Sequence, residues 1–421
     1  ENGEYNSMAV VGQSLIEGKG GFMKNVDLGI RFLDLAAEND CYEAAEYYAQ
    51  LLLTGAVVNR DLNKAAQLLQ KPVFHGSTTA IVILVNVELS KPTPNYTFAR
   101  KIAREAAIEG NTDAMVQYGK LCMMKVKREQ LTPDFNEAYQ FFKSAADLCN
   151  SCGKAWYAYF IHFAYGVVKY NYSECALNAK ESSEMGNMYG KAIYAHCLAD
   201  GIGVEKDIDK AISLAKDSCN SGNPWGMNIY GVFLARGLGN LSRNLKQSAR
   251  YCKMAADKGD AEGMCNYGDC LHEGDGVKRD IIEAMKYYKA SMHRGCLYAA
   301  AQLGNILSLG DGVPTDPVKA KKYFKFAADH GDDSGMFGYA LCLLEAIGTN
   351  VSITEASKYL EMGIERNNPQ CMKKYAELIM DNRIPGKTHA DGERYFLMAE
   401  EIDQKSNLSY SKNRSCRCNI Q

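Results

Sequence analysis

The chain has 421 residues, with 48 Lys plus Arg against 50 Asp plus Glu and a net charge of -2. Nothing in that balance points to nucleic acid or an anionic membrane as the partner. No apolar run reaches the roughly 20 residues of a membrane-spanning helix, and the most apolar stretch, residues 80–89, fits a buried helix instead.

From its start the chain repeats one phrase about every 36 residues. An aromatic or Leu is followed by Gly or Ala and, seven residues on, by a Gly-x-Gly-Val-like turn. Taking the first residue as a phase mark gives Val11, Tyr48, Leu84, Tyr118, Tyr159, Tyr194, Tyr230, Tyr267, Leu303, Tyr339 and Tyr375. Eleven units follow in chain order: 1–40, 41–77, 78–111, 112–150, 151–187, 188–223, 224–260, 261–296, 297–332, 333–368 and 369–406. In the third, Lys91-Pro92-Thr93-Pro94 replaces the turn; the fourth carries an expanded loop from Lys125 to Pro133. The sixth, eighth and ninth are clear copies, with turns Gly201-Ile202-Gly203-Val204, Gly274-Asp275-Gly276-Val277 and Gly310-Asp311-Gly312-Val313. Residues 407–421 lack helical periodicity and read as a disordered tail.

Each unit reads as two helices. The first puts a second apolar residue four after the mark, as in Tyr230 and Leu234 or Leu303 and Leu307, on one helix face. The second starts at a capping residue such as Asp207, Asp280 or Asp316 and carries Lys-Ala or Glu-Ala, an aromatic and often Ala-Ala. Units of this kind cannot bury their apolar faces alone, so the pattern predicts an all-α stack and an extended surface.

The phrase from Ala300 to Gly331 resembles the Sel1-like repeat, a relative of the tetratricopeptide repeat. Leu303-Gly304, Gly310-Asp311-Gly312-Val313, Asp316, Lys319-Ala320, Tyr323, Ala327-Ala328 and Gly331 carry the match. The resemblance spans 1–406, with units three, four and ten as poor copies. It implies a right-handed superhelical solenoid of about eleven two-helix repeats that acts as a non-catalytic scaffold or adaptor, binding protein partners along its concave face. Similar proteins also suggest two alternatives: an ER-luminal adaptor for a ubiquitin ligase in glycoprotein quality control, and a secreted host-interaction protein. No cofactor is implied.

In related solenoids the first helix lines the concave surface. Positions one before and two after the phase mark lie away from the core face. They hold Gln117 and Lys120, Asn266 and Asp269, Gln302 and Asn305, and Lys374 and Glu377, with His196, Asn86, Gln50 and Gln13 continuing the second row. This row is the expected partner-binding face. Trp156, Tyr157, Trp225 and Phe337, near first-helix starts, read as core aromatics with partner anchoring as the alternative.

Signals for chemistry are weak. The Gly-x-Gly turns follow helices, unlike phosphate loops. Cys149-x-x-Cys152 has no second ligand pair, so no metal site is expected. Ser213-x-x-Lys216 lacks the partner motifs of an acyl-enzyme. Of the 15 cysteines, Cys197, Cys270 and Cys342 share the phase of Leu51 and Leu121, so they read as core fillers and mostly free thiols. Six N-x-Ser/Thr sequons, at Asn95, Asn171, Asn240, Asn350, Asn407 and Asn413, fall in expected loops or the tail. They favour the secretory pathway, although Asn and Ser also gather in loops as capping residues. The chain opens at Glu1, as after signal-peptide removal or trimming. The expected compartment is the cytoplasm, with the ER lumen or secretion as alternatives.

Overall fold

A computed structural model describes residues 2–163, 171–345 and 351–410. Among them are 23 α-helices, one 3-10 turn at Lys127–Glu129 and no β-structure beyond a lone bridge between Val126 and Leu131. The helices form eleven consecutive pairs, one per unit. The extra helix arises in unit two, whose second helix is split into Leu62–Leu68 and Gln70–Phe74; Pro72 has no backbone N–H to continue the ladder. The last helix, His389–Tyr410, runs four residues past the expected boundary at 406. The remainder of the expected tail, with Asn413, Cys416 and Cys418, lies outside the described residues.

Contacts divide the chain into two compact units. One comprises Glu1–Cys122, Val126–Thr132 and Gln140–Gly153; the other comprises Met123–Lys125, Pro133–Tyr139 and Lys154–Gln421. Within each, the two helices of a repeat pack on one another, and a first helix also touches the first helix of the next repeat, as Thr78–Leu89 touches Thr112–Cys122 and Met188–Asp200 touches Pro224–Arg236.

Local chemistry sets the helix ends. Asp207, Asp280 and Asp316 cap second helices as expected, each accepting from the backbone N–H three residues on. Most phase-mark tyrosines meet an aromatic of their second helix edge-on: Tyr118 with Phe141, Tyr230 with Tyr251, Tyr267 with Tyr287, Tyr339 with Tyr359 and Tyr375 with Tyr395. Unit three keeps the pattern without its glycine turn. Glu88, at the second apolar position, is buried and accepts the Asn95 N–H at 2.9 Å and the Lys91 ammonium. That carboxylate replaces the carbonyl used in other units, where Leu198 accepts from Asp207 and Leu271 from Asp280.

One register expectation is corrected. First helices are capped seven residues before the phase mark: Asn111 before Tyr118, Asn187 before Tyr194, Asn223 before Tyr230, Asp260 before Tyr267, Asp332 before Tyr339 and Asn368 before Tyr375. In unit five Asn150 is that cap, accepting from Gly153 N–H at 2.8 Å. Its phase mark is therefore Tyr157, not Tyr159.

Candidate functional site

With that register, the row one before and two after the mark runs, within the compact body that contains Lys154–Gln421, through Trp156 and Tyr159, then Ile193 and His196, then Ile229. These residues meet. The helices Ser151–Phe163, Met188–Asp200, Pro224–Arg236 and Ala261–Glu273 enclose a cleft lined by Tyr159, His162, Phe163, Ile193, His196, Trp225, Asn228, Ile229 and Glu262. Its internal space is about 30 Å³, enough for one or two water-sized groups, which need roughly 10–15 Å³ each.

Aromatic packing forms one wall. Trp225 stacks on Tyr159 at 4.9 Å and takes Trp156 and Tyr189 edge-on at 4.8 and 5.0 Å. Repeat seven thus touches repeat five directly, beyond the nearest-neighbour contacts of a simple stack. The Tyr159 hydroxyl donates to the Glu262 carboxylate of repeat eight at 2.8 Å.

Two histidines form the polar wall. His162 and His196 are 5 % and 4 % exposed, with rings edge-on and centroids 5.0 Å apart. The Nδ1 atom of each is buried without a hydrogen-bond partner. The nearest carboxylate to His196 Nδ1 is Asp200 at 3.7 Å, beyond hydrogen-bond reach. Asp200 is held instead by a bidentate Arg236 at 2.5 and 3.0 Å. Burial pushes the Asp200 carboxyl up, but the hydrogen bonds from Arg236 and the nearby positive charges bring it below its usual range. Burial, then the neighbouring His196, holds His162 down to about 3, and burial lowers His196 as well. Both rings are neutral hydrogen-bonding groups at physiological pH.

A pH dependence follows. The folded His162 excludes a proton that the unfolded chain binds near pH 6.5. Its contribution to stability is full above pH 6.5 and is lost as pH falls toward 3. His162→Leu is expected to flatten the fall in urea-unfolding free energy between pH 7 and 4.5 by a few kcal/mol, since each tenfold loss of proton affinity on folding is worth about 1.4 kcal/mol. An unchanged slope would assign the acid sensitivity to other groups.

The expected partner row is only partly open. His196 lines the cleft. Asn266 and Asp269 are 2 % and 8 % exposed, not solvated: Asn266 donates to Asn228 at 2.8 Å, and Asp269 accepts the Tyr288 hydroxyl at 2.6 Å. Gln117, half-buried, donates to Asn86 of the previous repeat at 3.2 Å. The reason is geometric: adjacent first helices lie side by side, so Asn266 and Gln117 meet the neighbouring first helix, while Asp269 meets the second helix of its own repeat. Lys120, Gln302, Asn305 and Lys374 are half-buried and Glu377 is exposed; Asn305 donates to Gln302 at 3.3 Å and Lys374 pairs with Glu377 at 2.8 Å. His162 and Glu262 were missed because they become neighbours of the row only once repeats five to eight converge.

Asn95 and Asn171 are exposed but serve as second-helix caps, accepting from Phe98 and Glu174 N–H, and Asn240 is exposed in a turn. Asn407 lies in the last helix instead of a loose tail, and Asn350 lies outside the described residues. Among the described residues no group of three or more His, Cys, Asp or Glu could hold a metal ion, and no helix is long and apolar enough to cross a membrane. Cys197, Cys270 and Cys342 are buried, and the thirteen described cysteines are unbridged.

Comparison with known proteins completes the picture. Solved structures similar to this chain include the protective antigen c5321 of uropathogenic Escherichia coli, which displays an SLR fold (19 % identity, 97 % of this chain and 92 % of that one, TM-score 0.42). A Sel1 repeat protein from Oxalobacter formigenes is 21 % identical over 58 % of this chain and 96 % of its own, with a TM-score of 0.46. Yeast Tom70 is 12 % identical over 97 % of this chain and 98 % of its own, with a TM-score of 0.39. No curated protein matches the sequence. The Sel1 repeat model matches residues 6–41, 43–71, 112–148, 188–223, 226–260, 261–295, 297–332 and 333–368, including units four and ten, whose consensus is weak. With well over half of its length in these eight matches and its helices paired unit by unit, the chain belongs to the Sel1 repeat family.

Proposed function

We propose that this chain is a non-catalytic scaffold that holds a protein partner on the first-helix face of the compact body containing Lys154–Gln421, with the cleft between His162, His196 and Trp225 as the anchor. The observation that carries this reading is a pair of buried imidazoles, each with an unmatched Nδ1, on two residues that line a water-sized space on that face. A partner side chain with a small polar tip would match those atoms, while the surrounding aromatic rings supply the apolar contact typical of binding hot spots. The family supports the scaffold role, since stacked repeats offer extended surfaces.

Site-specific photocrosslinking tests the reading. A photoreactive residue at Phe163, half-buried on the cleft, is expected to give a discrete adduct with a native protein partner. The same residue at Ile282, 56 % exposed on a second helix, is expected to give none. Adducts at Ile282 with none at Phe163 would move the binding face to the second helices and sink the cleft reading.

A further inference from the structure

The fifth and sixth repeats hold a buried pair of thiols that the scaffold role does not use. Cys175 lies on Tyr172–Glu184, the second helix of repeat five, and Cys197 on Met188–Asp200, the first helix of repeat six. Their sulfurs are 3.8 Å apart and both residues are fully buried. The pairing comes from two sequence positions coinciding. Cys175 stands four residues after the cap of its second helix, where other repeats carry Ala65, Ala99, Ala138, Ala211, Ser248, Ala284, Ala320 and Ala356. Cys197 stands three after its phase mark, where Cys270 and Cys342 also sit. The second helix preceding Cys270 offers Ser248 at the paired position, and the one preceding Cys342 offers Ala320. Packing is satisfied by alanine at the first position, so a thiol there is not required by the fold. The two helices are packed neighbours, and the sulfurs need to close by roughly 2 Å to reach a normal S–S bond.

We propose that Cys175 and Cys197 are an oxidisable pair that a small-molecule or protein disulfide converts into an intrachain disulfide. One cysteine loses its proton and attacks the donor disulfide, breaking its S–S bond and releasing one donor thiol. The second cysteine then loses its proton and attacks the mixed disulfide, releasing the other. Two S–H bonds are lost, one S–S bond forms, and the two electrons leave on the donor thiols. Both thiols are buried, so exchange proceeds through transient opening, and hydrogen bonding to Cys175 together with burial raises the Cys197 thiol well above its usual range. The bridge ties the second helix of repeat five to the helix that carries His196, and so fixes one wall of the cleft.

The test uses the folded full-length chain, incubated with oxidised glutathione at pH 8 for hours, quenched with acid, denatured, alkylated and digested with trypsin without reduction. The expected product is a linked pair of peptides 170–180 and 192–206, about 2 Da lighter than the sum of the two free-thiol peptides and lost on reduction. Cys175→Ala, the residue most other repeats carry there, is expected to abolish the link and leave Cys197 alkylated. Alkylation of both cysteines in the treated wild-type chain, or glutathione left on either, would overturn the proposal. Neither result bears on whether a partner occupies the cleft.

Discussion

Replacing Gly203 or Gly276 by alanine is expected to destabilise the protein by about 2–4 kcal/mol, several times the effect of the same change at Gly201. Gly203 has φ +63°, and a Cβ there would lie 1.9 Å from the Tyr172 carbonyl oxygen and 2.2 Å from its carbon. Gly276, at φ +73°, would put its Cβ 2.2 Å from the Leu245 oxygen. In both cases the obstacle is the backbone at the start of the preceding repeat's second helix, which cannot yield as a side chain can. Gly201 shares the left-handed conformation, at φ +73°, but its nearest atoms stand 3.7 Å away, so alanine there carries the conformational cost alone, about 1 kcal/mol. Urea unfolding of the three variants checks this. Equal losses at all three would mean that only the turn conformation matters, not the contact between repeats. The Gly-x-Gly turn is thus a docking surface for the previous repeat, and no phosphate loop.

The second large effect centres on Phe324. Its ring would meet a Cβ at Gly304 at 2.6 Å and one at Gly338 at 2.4 Å, so it fills space left by the glycines of two successive first helices. Phe324→Ala is expected to cost about 3–5 kcal/mol through the cavity it leaves. Gly304→Ala alone is expected to cost about 1–3 kcal/mol by overpacking. The double variant Gly304→Ala, Phe324→Leu should lose less than the sum of its single changes, with a coupling of about 1 kcal/mol or more in thermal or urea unfolding. Strict additivity would show that glycine and ring do not share the space. The same exchange of size is visible along the chain: 21 residues after the mark, Gly268 has Tyr288 where Ala195 has Ala215.

How far the site could be read in advance depended on the residue. His196 was on the expected row and does border the cleft. Asn266 and Asp269 were on the same row and are sealed between helices, because polarity in sequence does not distinguish a solvated position from a buried hydrogen-bonded one. Trp156 and Trp225 lie near helix starts, and their spacing carries no sign that they meet across repeat six. The two-residue shift in unit five hid the row there: both Tyr157 and Tyr159 are aromatic, and only the cap at Asn150 separates the two registers.

The sequence by itself determined the repeat, its two helices, the caps that begin them and the glycines that end them, because each depends on residues within a few positions of one another and recurs in phase. It also determined family membership, since the consensus is carried by those same local positions. Tertiary structure alone decided which row residues stay open, where the two histidines meet, why Gly203 tolerates no side chain and that Cys175 and Cys197 stand thiol to thiol. Those outcomes depend on the rotation and spacing between successive repeats, which result from many small packing contacts summed over the array and leave no periodic mark in the chain.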